Sequence, residues 1–524
     1  MKIINTFQGI GNHNILLLLI IFCFSILSIN SFFKKKYNTA VFLLFVAAFL
    51  LRLMMIFMDP FLHEWDERYH ALVAKNMIDT PFWPRLWMSD VLDYNYQEWC
   101  CNYTWVHKPP WFLWQMALGM KLFGAEIWAM RFPGALINTL QLILVYHIGK
   151  LLVNERVGYF AAISFAFSYF ALEQVSGNMG REHVDVSFLF YLTLNLWAWI
   201  RYTKAEEKER WKWAVLIGFI AGIAVLVKWL LGLYVFGIWG VWAIVERKIS
   251  LKEIGLGSLS LIIALSVFLP WQWHIYSEFP LESAFEGAFN KRHITEALEN
   301  HEQLWSYYFT NNHILYGAFS WVLIGIGFFS FIRTVKRSYV ISLTVAVVVV
   351  YAFFIIASTK FIAYVFMVSP IIFVILGCAL NYFYDLHEKN ISSQNIAKSL
   401  GLIALLLYCS YTLRLKMILD FHYHGKSSYI SSFLERDNKI HDARGWYEIG
   451  DSIPDNAVFL HVNQPVEVMF YTGNLAYFWV DPKDIDKLKE RGYEPFLVPN
   501  PRYPSPSHLV NDDRIKKLDF MPKQ

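Results

Sequence analysis

The chain has 524 residues, 56% of them apolar, 18% aromatic and only 17% charged, with a mean hydropathy of +0.36. That balance excludes a set of soluble domains and defines a polytopic membrane protein. The net charge of +4 lies in small clusters between apolar runs, with no basic patch able to follow a phosphate backbone, which excludes nucleic acid as a partner.

Crossing ~30 Å of hydrocarbon takes about 20 apolar residues. On that ruler the sequence predicts an all-α polytopic membrane bundle of about 11–13 helices, counted as spans at 14–33, 40–58, 132–149, 157–174, 185–201, 212–228, 230–245, 254–273, 313–332, 339–357, 362–380 and 399–415. The first precedes Lys34, Lys35 and Lys36 with no small-residue cleavage pattern and reads as an uncleaved span.

The long polar interruption is the first loop, 59–131, which opens Asp59-Pro60-Phe61-Leu62-His63-Glu64-Trp65-Asp66-Glu67. His63, Asp66, Tyr69, His70, Val73 and Met77 share one face of a short helix lying along the bilayer. Asp66 and Glu67 fall in its first turn, where unpaired N–H groups help keep a carboxylate ionised and able to act as a base. Acids there are also ordinary helix-start residues. Pro109 and Pro110 then suit the start of a second surface-lying helix over Trp111–Phe123. Trp83, Trp87, Trp99, Trp105, Trp111 and Trp114 read as interfacial anchors, with sugar stacking as a second reading.

The positive-inside rule places Lys34–Lys36, Lys150 and Arg156, Arg201–Lys212, Arg247–Lys252, Arg333–Arg337 and Lys389–Lys398 on one side, the cytoplasm. The first loop, the Glu173–Asp185 turn, Lys228, the 274–312 loop and the Ser358–Phe361 turn then share the other side. Trp213–Val245 is too long for one span and holds Lys228 before Gly232, which predicts a helical hairpin with the lysine at its outer tip, snorkelling or binding.

After residue 415 the composition turns soluble. Apolar runs at Ala457–Val462 and Leu475–Val480, a charged helical piece at Pro482–Arg491 and a run at Glu494–Pro499 predict a small α/β domain over 416–524, following a membrane domain over 1–415. The last stretch, 501–524, reads as extended. Cys23, Cys378 and Cys409 lie in apolar runs and Cys100 adjoins Cys101, neither a disulfide framework nor a zinc spacing. His63, His70, His107, His183, His293 and His301 fall on the outer side without the i, i+4 spacing of a zinc protease. No residue is assigned as a metal ligand.

Trp65-Asp66-Glu67-Arg68-Tyr69-His70, then His107-Lys108-Pro109-Pro110-Trp111, Phe123-Gly124 and Arg131-Phe132-Pro133-Gly134 resemble the GT-C membrane glycosyltransferases, in particular the protein O-mannosyltransferase and lipid A aminoarabinose transferase group. Order and spacing agree over about residues 40–415. The resemblance implies an inverting transfer of a sugar from a polyprenyl-phosphate donor to a protein, lipid A or glycan acceptor, on the outer face of a bacterial inner membrane. It implies Asp66 as the catalytic base with Glu67 as the alternate, and Asp185 as the second acid, orienting Arg181 or the sugar. It leaves a divalent metal open, since some members of the superfamily use one.

The chemistry itself asks for a base to take the acceptor proton and cations for the departing phosphate. It asks for no acid of the glycosidase kind, because a phosphate leaves as a stable anion. Lys108, Arg131, Arg181, Lys228 and Lys360, the last just before Tyr364, supply cations on the predicted outer side, where a topology rule alone would not gather them. Lys108, Arg131 and Lys360 are expected to receive the lipid phosphate, with Arg181, Asp185 and Lys228 completing the pocket. The alternative function is a transporter or flippase of lipid-linked sugar, which calls for ionisable residues buried mid-span and two related halves.

Overall fold

Apolar runs long enough to bury their backbone hydrogen bonds within themselves become helices, and these set the architecture. In the computed structural model, which describes residues 12–98, 102–178, 182–298, 301–390, 412–424, 436–500 and 502–523, helices pack side by side into a bundle and a small sheet domain is docked at one end. Among the described residues seven helices are long and apolar enough to cross a membrane, or eight if the bent pair Tyr307–Tyr316 and Ser320–Thr334, angled by 86°, is one span.

Several predicted spans take a different form. The 157–174 run breaks into Glu155–Ala166 and Tyr169–Ser176, because the Ser168 side chain caps the second piece by accepting from the Ala171 N–H. The 185–201 span lies inside one helix, Glu182–Lys204, whose polar residues keep it out of the count by apolarity. The 254–273 span runs on to Glu278, and the helix Pro280–Thr295 occupies part of what reads in sequence as loop. The 399–415 span falls outside the described residues except for its last four positions.

The predicted hairpin at Lys228 is present. Glu253 accepts from Tyr202 at 2.7 Å and Trp239 at 2.8 Å and pairs with Arg210 at 3.6 Å. Arg210 and Trp239 would stand about 43 Å apart on one continuous helix, so the chain reverses between them. Gly232 makes the reversal, since a Cβ there would lie 2.5 Å from the Val225 nitrogen.

In the first loop the helices Asp66–Asn76 and Trp111–Phe123 form as the pattern predicts, the first starting at Asp66 rather than at His63. Trp111–Phe123 buries Phe112, Leu113 and Met116 and leaves Leu118, Leu122 and Phe123 exposed, the split face of an interfacial helix.

The C-terminal domain is a four-stranded, all-parallel sheet in the order β2-β1-β3-β4, with β1 Ala457–Leu460, β2 Leu475–Tyr477, β3 Glu494–Leu497 and β4 Lys516–Lys517. The helices Pro465–Thr472 and Pro482–Glu490 make its crossovers. The stretch beyond 501, expected to be extended, contributes the short helix Ser507–Val510 and β4. Helix Pro465–Thr472 seats the domain on the first loop. Tyr471 accepts from the Leu62 N–H at 2.9 Å, Arg68 reaches Glu467 at 3.5 Å, and Lys75 donates to the Phe470 carbonyl.

Candidate active site

The two carboxylates of the first helical turn have opposite surroundings. Glu67 is fully buried and meets Arg131 at two points, Nε to Oε1 at 2.6 Å and Nη2 to Oε2 at 2.9 Å. It also accepts from the His63 N–H at 2.6 Å. Arg131 donates further to the carbonyls of Asp59 at 2.7 Å and Phe61 at 2.9 Å. Burial alone would raise the Glu67 carboxyl, but the Arg131 charge overrides it and holds the group well below the carboxylate range. Glu67, expected as the alternate base, and Arg131, expected at the lipid phosphate, are thus committed to each other and to the loop backbone. Asp66 is half-buried beside them, at the helix N-terminus.

A second buried network links the loop to the C-terminal segment. His422, on the helix Leu415–His424, hydrogen-bonds through Nδ1 to Asp59 and through Nε2 to Glu173 at 3.3 Å. Arg436 approaches Asp59 at 3.1 Å and donates to the Met58 carbonyl at 2.6 Å, while His63 lies 3.3 Å from Asp59. Burial would lower the His422 imidazole, yet the two carboxylates raise it to about 10. Asp59 is held well below its usual range by His422 and His63 against its own burial.

Asp66 and Lys108 both act on His70 through their charges. Asp66, Lys108, His183 and His107 are the charges that act on this imidazole, which packs edge-on against Phe112 at 4.8 Å and Trp105 at 5.8 Å. Burial pushes His70 down to about 3, so the ring is neutral, and among the described residues neither nitrogen has a hydrogen-bond partner. Lys108 lies 3.1 Å from His107, whose other nitrogen meets Glu286 at 2.8 Å; the second oxygen of Glu286 is buried without a partner among the described residues. Unpartnered polar atoms at a buried cluster are where a substrate's groups fit.

His183, 3.7 Å from Glu67, precedes Asp185 by two residues on the helix Glu182–Lys204. Lys228 pairs with Asp185 and sits 5.1 Å above the Tyr364 ring, and all three line one narrow cavity. Asp185 keeps its other oxygen buried and unpartnered among the described residues. Lys360, four residues before Tyr364, turns its ammonium away to the Ala357 carbonyl at 2.7 Å, ending the helix Arg337–Ile356. Arg181 lies outside the described residues.

Two tryptophans with positive φ flank this arrangement, Trp65 at 65° before Asp66 and Trp229 at 56° after Lys228. Bulky residues there cost of order 1–3 kcal/mol each and collect at functional sites. Among the described residues no group of three or more His, Cys, Asp or Glu side chains forms a metal-binding set. Sequence reasoning missed His422, Arg436 and Glu286, which lie hundreds of positions from their partners or in a segment read as loop. Nothing in one sequence pairs them.

Residues 107–274 match the family described as dolichyl-phosphate-mannose-protein mannosyltransferase. An undecaprenyl phosphate-alpha-4-amino-4-deoxy-L-arabinose arabinosyl transferase 2 of Pseudomonas fluorescens is 28% identical over 34% of this chain and 32% of the relative. A protein of Pseudomonas savastanoi pv. phaseolicola with the same transferase name is 25% identical over 45% of this chain and 42% of its own length. The matches therefore span about a third to under a half of the relatives' length. In fold, ArnT from Cupriavidus metallidurans bound to undecaprenyl phosphate superposes with a TM-score of 0.60 at 15% identity, covering 86% of this chain and 87% of that one. The archaeal oligosaccharyltransferase AglB of Archaeoglobus fulgidus, solved with an inhibitory peptide and a dolichol-phosphate, gives 0.51 at 12% identity over 85% of this chain and 64% of that one. The chain is an integral membrane protein with the GT-C fold. The resemblance first carried by its loop motifs is to the protein mannosyltransferase and aminoarabinose transferase group, and the comparisons bear it out.

Proposed function

We propose that this chain is an inverting glycosyltransferase that moves a sugar from a polyprenyl-phosphate donor to a hydroxyl or amine of an acceptor, in a bacterial inner membrane, with its first loop and C-terminal domain outside the cytoplasm. The observations that support this reading are a half-buried carboxylate, Asp66, whose charge and that of Lys108 both act on buried His70, an Asp185–Lys228 pair, and polar atoms of His70, Asp185 and Glu286 buried without partners among the described residues. The names of the similar proteins, arabinosyl transferases and a relative in fold bound to undecaprenyl phosphate, agree with a lipid-phosphate donor.

In the reaction, Asp66 takes the proton from the acceptor as its oxygen or nitrogen bonds to the anomeric carbon. The bond from that carbon to the phosphate oxygen breaks on the opposite face, and polyprenyl phosphate departs as an anion. Lys108 and Lys228 receive its charge as point cations. Asp185 and Tyr364 hold Lys228, and Asp185's spare oxygen is placed to accept from a sugar hydroxyl. Arg181 is kept as a phosphate ligand on the strength of its position in the sequence. Glu67 and Arg131 fix the turn on which Asp66 stands, and Lys360 fixes the segment carrying Tyr364.

The test is release of polyprenyl phosphate from a purified polyprenyl-phosphate sugar by the full chain in lipid nanodiscs. Wild-type protein is expected to release it and Asp66→Asn to lose that activity. Equal rates for the two would remove the base assignment, and transport of intact donor across vesicles without cleavage would favour the flippase.

A further inference from the structure

A cleft of about 600 Å³ lies between the first loop and the segment His274–Glu282, apart from the residues assigned above. Its walls are aromatic. Trp83 faces Tyr103 with ring centroids 5.8 Å apart and Phe279 at 5.9 Å, and Tyr94 lies 6.0 Å from Tyr103. Three carboxylates, Asp90, Glu278 and Glu282, line it beside Thr80, Thr104 and His274, and among the described residues no lysine or arginine does.

Glu282 is 8% exposed. The Tyr94 hydroxyl donates to its Oε1 at 3.3 Å. A carboxylate in a cleft wall can accept from a ligand that brings its own donor. The cleft also adjoins the reaction centre. Glu286 follows Glu282 by four residues on the helix Pro280–Thr295, about 6 Å along the same face, and it is Glu286 that holds His107 beside Lys108.

Aromatic faces pack on the C–H faces of a sugar ring, and carboxylates accept from hydroxyl and ammonium groups. Three carboxylates against one guanidinium, Arg85 at 5.3 Å over the Trp83 ring, leave a net negative charge that disfavours a phosphate. We propose that this cleft is the acceptor subsite and that it takes a sugar ring carrying hydroxyl or ammonium groups, in preference to a phosphorylated one. The proposal rests on the transferase reading and narrows its acceptor to a glycan.

Glucosamine and glucosamine 6-phosphate are the probes, titrated into the full chain in nanodiscs with binding read by saturation-transfer NMR. Glucosamine is expected to bind at least tenfold more tightly than its 6-phosphate. Glu282→Gln, and independently Asp90→Asn at the exposed edge, are expected to weaken glucosamine at least tenfold and threefold respectively. No glucosamine binding by wild type, equal binding of the two sugars, or binding untouched by both substitutions overturns the subsite. Release of polyprenyl phosphate by the same wild-type preparation is scored separately. Its absence counts against the transferase reading, while its presence alongside any overturning result counts against the acceptor subsite alone.

Discussion

Glu67 and Arg131 are joined at two points with neither side chain open to solvent, while Asp66, one residue earlier in the same turn, is half-buried beside Lys108's cluster. Adjacent carboxylates are thereby given separate tasks by their surroundings. Removing one partner of a buried pair leaves the other charged and unpaired, a loss of about 3–5 kcal/mol. Arg131→Met is therefore expected to lower the thermal midpoint strongly, whereas Asp66→Asn keeps the midpoint and loses sugar transfer. Scanning fluorimetry in detergent beside the polyprenyl phosphate assay separates the two. An Arg131→Met protein that melts with wild type would contradict the structural role.

Gly177 supports the same pair from above. Its φ is +89°, and a Cβ there would lie 2.4 Å from Oε1 of Glu67. Gly177→Ala thus meets both backbone strain, of order 1–3 kcal/mol, and a collision with a carboxylate held in place by Arg131. It is expected to destabilise more than Gly237→Ala, whose Cβ meets nothing within 4 Å. Equal midpoints for the two alanine variants would show that the Glu67 turn can give way.

Much of this fold was legible because its signals are local. Apolar length marks membrane helices, Lys228 before Gly232 marks a reversal, and alternating short runs mark β1, β2 and β3. The pairing of Asp185 with Lys228 was legible as residues sharing one predicted side of a membrane. The split between Glu67 and Asp66 was not, because it depends on where Arg131 points once the third predicted span packs against the loop. His422 was illegible for a related reason. Its role comes from docking against Asp59 and Glu173, 363 and 249 positions away, and a lone histidine after a span carries no mark of that.

The His422 bridge should show in the pH dependence of stability. Its folded value, about 10, lies above the ordinary 6.5, so its contribution is fully present below pH about 6.5 and is lost as pH rises toward about 10. Asp59, held low, contributes above its ordinary 3.8 and loses that as pH falls. The groups facing the imidazole are Asp59 and Glu173, with His63 on the same Asp59 oxygen and Arg436 on the other. The midpoint gap between wild type and His422→Gln is expected to be widest between pH 5 and 6.5 and to narrow steadily toward pH 10. A gap that does not change with pH would mean that His422 is not charged in the bridge.

His70 gives the sharpest separation of stability from function. Its ring is buried between Trp105 and Phe112, its two nitrogens have no partner among the described residues, and burial holds it at about 3. His70→Phe removes two unsatisfied polar atoms and keeps an aromatic ring of similar outline, so the unfolding free energy is expected to hold or to rise by about 1 kcal/mol. The sign on the acid side is also set. A group depressed from 6.5 to about 3 takes stability away as pH falls through that interval, since the unfolded chain binds the proton more readily, and His70→Phe should flatten that decline. Its effect on the reaction should run the other way. If donor or acceptor groups bond to those nitrogens beside Asp66 and Lys108, kcat/KM for polyprenyl phosphate release falls roughly tenfold, about 1.4 kcal/mol of transition-state stabilisation. A His70→Phe protein that is as stable as wild type and as fast would show that the nitrogens face no substrate, and that His70 belongs to the packing of the first loop alone.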